Sequence, residues 1–155
     1  MNKKLRKKIN THRLTGISGI DVQHRELFLK IDRFMDSLKN GNPSTGDVHA
    51  DIDDILENLR SHLATEERLM EIIAFPKAEE HKANHRNILN MVTEEMKILK
   101  NTDNKKIFRF VSSYRHIAAA HIAVFDHDYV QFIRKLTTAK NRLNVAALRT
   151  RALAG

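Results

Sequence analysis

The 155-residue sequence contains no cysteine and no tryptophan, only two prolines and five glycines, and no long apolar run. Each absence excludes something. Without cysteine there are no disulfides, zinc–thiolate sites, iron–sulfur clusters or thiol nucleophiles, so any metal must be held by nitrogen and oxygen. Lack of cysteine also suits a reducing compartment. No apolar stretch approaches the roughly 20 residues needed to cross a bilayer. The opening Met-Asn-Lys-Lys-Leu-Arg-Lys-Lys is basic but leads into no hydrophobic segment, so a cytoplasmic protein without a secretory signal is expected.

Scarce glycine and proline leave few places for the chain to turn. Gly16 and Gly19 precede the first periodic segment; Gly41, Pro43 and Gly46 cluster with Asn40, Asn42 and Ser44; Pro76 and the polar run 101–104 make two further breaks. Between these marks apolar residues recur at helical spacing. Leu27, Ile31, Phe34 and Leu38 form one stripe, and Ile52, Ile55, Leu56, Leu59, Leu63 and Met70 a second. Ile88, Leu89, Val92, Met96 and Leu99 form a third; Phe108, Val111, Ile117, Val124 and Phe132 form a looser fourth. These stripes predict helices over about 21–39, 46–73, 77–100 and 105–136, with Asp21 as the first N-cap. Short connections favour an all-α, antiparallel up-down-up-down four-helix bundle.

The net charge of +8 is unevenly placed. Residues 1–13 carry six basic side chains and residues 134–155 six more, with no acid in either segment. The intervening 14–133 hold the other 15 basic residues against all 19 acidic ones, a net of −4. The sequence therefore divides into a basic N-terminal arm (1–15), a mildly acidic domain (16–136) and a basic C-terminal tail (137–155).

Five of the nine histidines form a pattern. His62 and Glu66 are four apart on the second helix, as are His81 and His85 on the third, so each pair shares a face. His121 and Asp126 are five apart on the fourth, and His24 lies near the start of the first. His24 to His62 is 38 residues and His85 to His121 is 36, matching connections that turn at one far end. Glu66 to His81 is only 15, so that connection turns close by. At 1.5 Å per residue the layer lies on the order of 25 Å from one end and about 7 Å from the other. A single inward histidine is ordinarily a satisfied core residue. Seven nitrogen and oxygen donors at one height would instead be costly to bury without a metal. His12, His49, His116 and His127 fall outside the pattern and are expected at the surface. Seven donors exceed one tetrahedral zinc, and imidazole suits iron, copper, nickel or zinc rather than calcium or magnesium. Two carboxylates among five imidazoles suggest bridges, hence a dinuclear transition-metal site.

Four stretches carry a resemblance to a known family: Gly-Ile-Asp-Val-Gln-His-Arg-Glu-Leu-Phe at 19–28, His-Leu-Ala-Thr-Glu-Glu-Arg-Leu-Met at 62–70, Phe-Pro-Lys-Ala-Glu-Glu-His-Lys-Ala-Asn-His at 75–85 and His-Ile-Ala-Val-Phe-Asp-His-Asp-Tyr at 121–129. Together they resemble hemerythrins, especially the single-domain bacterial members. The resemblance implies two non-haem irons bridged by Glu66, Asp126 and a solvent-derived oxygen. One would carry His81, His85 and His121, the other His24 and His62 with an open position for dioxygen. It further implies reversible dioxygen binding for storage, transport or delivery rather than catalysis. Where the family commonly has Trp and Leu, four and three residues before the last histidine, this chain has Ile117 and Ala118. Leu63 replaces the usual aromatic after the second-helix histidine. A looser oxygen pocket around Ile117, Ala118 and Leu63 is expected.

Two rival functions follow from the same residues: an oxygen, redox or nitric-oxide sensor acting through its tails, and a di-iron oxidase or peroxidase. Nucleic-acid binding is not favoured, because no recognised motif or interleaved aromatics accompany the basic tails. Partners compatible with the tails are an acidic protein or an anionic membrane surface. Residues 142–153 can form a short amphipathic helix with Val145, Leu148 and Ala152 on one side, the alternative being a solvated tail without fixed structure. Each basic residue near an anionic surface contributes roughly 1 kcal/mol at low salt. The full chain should therefore co-sediment with anionic vesicles at low ionic strength, and a chain trimmed to 14–136 should not. Equal pelleting of both, or of neither, would exclude the membrane surface.

Overall fold

The computed structural model describes residues 15–41, 43–99 and 102–153, with side chains to residue 140. The basic arm through residue 14, including His12, and the side chains expected on the amphipathic segment 142–153 lie outside that description. The described helices are α1 (Ser18–Asp36), α2 (Thr45–Ile72), α3 (Ala78–Leu99), α4 (Asn104–His121) and α5 (His127–Leu153). Five-residue π turns, Ser37–Gly41 and Ile122–Asp126, follow α1 and join α4 to α5. The fourth rod is thus α4, a π turn and α5 in sequence. α1 packs on α2 and α4, and α3 on α2 and α4, which closes an antiparallel four-helix bundle.

Local chemistry sets the helix ends. Ser44 and Asp47 form a capping box: the Ser44 hydroxyl accepts from Asp47 N at 3.2 Å, and the Asp47 carboxylate accepts from Ser44 N at 3.2 Å. Asp103 caps α4 through Lys106 N at 2.9 Å. Asp21 does not cap α1, contrary to the sequence expectation. The helix begins three residues earlier, after Ile17. The buried Asp21 carboxylate instead accepts from Thr15 N (2.7 Å), Thr15 Oγ1 (2.9 Å) and Gly16 N (3.1 Å), folding the entering segment onto the first turn.

The fourth stripe was misread from sequence. Its inward residues are Ile107, Val111, Tyr114, Ala118, His121 and Ile122, whereas Phe108 and Ile117 are half-buried and Val124 is 61% exposed. The π turn shifts the phase, so that beyond it Asp126, Tyr129 and Val130 face inward. The rod also continues past 136 to Leu153: no glycine or proline interrupts residues 127–153, and Ala, Leu, Lys and Arg favour helix there. From Arg134 to Lys140 its side chains are exposed, so it leaves the bundle after Ile133. Among the described residues no helix is long and apolar enough to cross a membrane.

The core is split in two. A large apolar cluster runs from the far end up to Leu63, Ile88, Ala118 and Ile122. A smaller one at the near end is built on Met70, Phe75, Tyr129 and Val130. Between them each of the four rods presents polar side chains inward. The near-end turn is tight: Ala74 N donates to Glu71 O (3.0 Å) and Phe75 N to Met70 O (2.9 Å), a Schellman closure. This places Ala74 at φ +49°, where a Cβ costs about 1 kcal/mol. Ala74→Gly should therefore raise the denaturation free energy of the metal-free protein by roughly 0.5–1 kcal/mol. A fall of that size in urea titration would show that the turn is not strained.

Candidate metal centre

Each rod contributes to one buried layer. α1 supplies His24, α2 supplies His62 and Glu66 one turn apart, and α3 supplies His81 and His85 one turn apart. The fourth rod supplies His121 from the end of α4 and Asp126 from the end of the π turn. A π turn closes every five residues rather than four, so the five-residue spacing of His121 and Asp126 puts both on the inner face. All seven side chains are buried, and Glu66 and Asp126 are 0% exposed. They form two groups that share Glu66: Glu66, His81, His85, His121 and Asp126, and His24, His62 and Glu66. Within each group the donor atoms lie within 4.8 Å of one another, close to the spread around one ion at roughly 2.0–2.2 Å per bond.

The contacts do not satisfy these atoms as hydrogen bonds. His121 Nε2 is 3.0 Å and His81 Nε2 3.3 Å from Asp126 Oδ1, and His24 Nε2 is 3.4 Å from Asp126 Oδ2. His85 Nε2 is 3.3 Å and His62 Nε2 3.7 Å from Glu66 Oε2, while His85 Nε2 and His121 Nε2 face each other at 3.1 Å. Yet His24 Nδ1 and Nε2, Glu66 Oε2, His81 Nε2 and both Asp126 oxygens have no aligned partner. Eight buried side-chain polar atoms are unpartnered among the described residues, and six belong to this layer. An isolated orphan would cost a few kcal/mol. Five of the six, all but His24 Nδ1, belong to the side where the carboxylates and imidazoles meet, and such a set, rich in lone pairs, is the arrangement that a cation satisfies.

The electrostatics agree. Burial pushes the Glu66 carboxyl up, but His121 and His85 more than reverse this and bring it to about 2. Burial likewise opposes ionisation of Asp126, yet His121, His24 and His81 hold it well below the usual carboxylate range. Both carboxylates are therefore ionised at neutral pH. Burial lowers His62 to about 4 despite Glu66, leaving that imidazole neutral with a free lone pair. His121 goes the other way. Burial disfavours its charge, but Asp126 and Glu66 outweigh it and raise the ring to about 9.

Outer partners orient the rings. His121 Nδ1 lies 2.8 Å from Asn84 Oδ1, His85 Nδ1 3.0 Å from Glu67 Oε1, and His62 Nδ1 3.4 Å from Gln23 Oε1. An acceptor at Nδ1 holds the proton there and turns the Nε2 lone pair inward. Tyr129 donates to Glu66 Oε1 at 2.7 Å, and its phenol is pushed up by burial and by Glu66 and Asp126, so it remains a donor. Phe125 stacks on the His121 ring. Sequence reasoning missed Gln23, Glu67, Asn84 and Tyr129, though all four lie inside the stretches that carried the family resemblance, each within three residues of a predicted site residue. His116 and His127 are exposed and His49 is half-buried, all outside the layer.

A cavity opens beside His24, His62 and His121, with about 20 Å³ for the centre of a water-sized molecule. Leu63 and Ala118 line it. Ile117 does not. It sits half-buried on the flank of the larger apolar cluster, because the inward phase of α4 passes through Tyr114 and Ala118. Tyr114 is the wall residue that sequence reasoning missed, and it lies outside every family-like stretch.

The family model described as hemerythrin HHE cation binding domain matches residues 15–133 of the chain. No curated protein and no solved structure matches it. The matched span ends where the fourth rod leaves the bundle. With His121 charged at pH 7 and its proton lost only near pH 9, a cation entering between His121 and Asp126 must displace that proton. Metal binding at pH 7 should release about one proton from this ring, and apparent affinity should rise with pH toward 9, by up to roughly tenfold per unit. Calorimetry in buffers of different ionisation enthalpy measures this. Affinity that does not change from pH 7 to 9 would show the ring to be neutral.

Proposed function

The chain belongs to the hemerythrin family, and from that premise we propose that it binds dioxygen reversibly at a non-haem di-iron centre. His81, His85 and His121 would hold one iron and His24 and His62 the other, with Glu66 and Asp126 between them. The donor set fits the group: five imidazoles and two ionised carboxylates converge on the layer, and His24, His81, Glu66 and Asp126 keep ring-nitrogen or carboxylate atoms there without aligned partners. Iron supplies the electrons that dioxygen accepts on binding. The chain's own residues do the rest.

The observation that carries this reading is the position of the cavity. It abuts both His24 and His62, the imidazoles of the group with the fewer donors, and only His121 of the other group, so it lies on the side where an incomplete coordination shell would leave room for a ligand. Its walls are mostly apolar, with Leu27, Leu59, Leu63, Ile88 and Ile122 excluding bulk water from the layer. Its size supports binding rather than oxidase or peroxidase chemistry: about 20 Å³ for the centre of a water-sized molecule takes a guest of a few heavy atoms, not an organic reductant. Tyr129 steadies Glu66 from the opposite side. Storage, buffering and delivery all follow from such a site.

The experiment is anaerobic loading with ferrous iron, metal analysis, and oxygen titration followed by absorption. Two irons per chain and a spectral change that reverses on removing oxygen are expected. One ion per chain, or irreversible oxidation at first exposure, would overturn the reading.

A further inference from the structure

Among the residues that line the cavity, Tyr114 alone carries a polar side chain that is not part of the metal layer. Its side chain is 0% exposed, and its hydroxyl has no hydrogen-bond partner among the described residues. A buried hydroxyl without a partner is costly, and a phenylalanine of nearly the same shape would avoid that cost. Burial pushes the phenol well above its ordinary pKa, so the proton stays on the oxygen. Tyr114 lines the cavity together with His24 and His62, one turn from Ala118 on α4. The small Ala118 side chain leaves space there that a bulkier residue would fill.

We propose that the Tyr114 hydroxyl donates a hydrogen bond to the outer atom of a small ligand held in this cavity, so that the site selects guests carrying a lone pair at that end. This rests on the reading of the cavity as the seat of a metal ligand. It adds to that reading a donor on the chain itself, on the wall made by α4 rather than in the metal layer. The ligand class is a diatomic or short linear anion, with one end toward His24 and His62 and an accepting atom toward Tyr114. Apart from His121, which belongs to the metal layer, the other residues of that wall, Ala118 and Ile122, offer only carbon from their side chains.

The probe is azide, added to the oxidised, iron-loaded full chain and to its Tyr114→Phe variant. The variant should bind azide about tenfold more weakly, the effect of losing one hydrogen bond to a charged acceptor. The asymmetric stretch of bound azide should shift between light and heavy water in the native chain and not in the variant. A second measurement separates this from a structural role: the metal-free variant should melt no lower than the metal-free native chain, because no internal hydrogen bond is removed. Equal azide affinities with native binding intact would overturn the proposal alone. A variant that melts several degrees lower would also overturn it, by showing that the hydroxyl has a structural partner. If neither iron-loaded protein binds azide, the cavity is not a ligand seat and both readings fall.

Discussion

Two ionised carboxylates buried at 0% exposure, with three of their four oxygens lacking aligned partners, are the constraint on which this bundle depends. Charges so placed are expensive unless an opposite charge meets them. In the metal-free chain, His121 meets part of that need by staying protonated, held up by the carboxylates it contacts. The rest of the need is left to the centre of the layer. Four rods must therefore keep one register, because a slide of any one by a single turn would strand Glu66 or Asp126 among hydrocarbon. The two apolar clusters on either side fix that register and keep water from supplying a cheaper solution.

The π turn at Ile122–Asp126 is the local device that makes the layer possible on the fourth rod. In a regular α-helix, residues five apart diverge by about 140°. Widening one turn brings His121 and Asp126 onto the same face and rotates everything after it. Tyr114 and Ala118, before the turn, form the wall on one side of the layer, and the rotation after it makes Tyr129 and Val130 the packing on the other. The same turn delivers Tyr129 to Glu66, so that one backbone irregularity positions a carboxylate and the hydroxyl that orients another. The second π turn, after α1, buries Leu38 and packs on α4 without any polar role. A π turn is thus not itself the mark of a site. Its residues decide.

The outer hydrogen bonds give the imidazoles their direction. Asn84, Glu67 and Gln23 each hold an Nδ1, and none is fully buried, so the layer is steadied from its rim while its centre stays dry. Gln23 also donates to Thr65 at 3.0 Å, linking α1 to α2 beside His62. Farther out, Arg115 pairs with Asp32 through two bonds and ties α4 to α1 on the cavity side of the bundle. These links lock together the rods that line the cavity.

The sequence by itself determined the helices, their order and the seven side chains of the layer. Hydrophobic period and turn residues are local, and connection lengths of 38, 15 and 36 residues leave few ways for the donors to meet. It did not determine the phase of the fourth rod, because one residue inserted into a turn hardly alters an apolar pattern read over many turns. Ile117 was expected at the pocket on the family resemblance, which puts a bulky residue four before the last histidine, and Tyr114 was not because it lies outside the family-like stretches. Asp21 was expected to cap a helix because acids commonly do. Its actual partners, Thr15 and Gly16, became visible only when the entering segment folded back on it. Only the tertiary structure decided which polar atoms are satisfied: hydrogen bonding depends on distances and angles between rods, and no single helix carries that information.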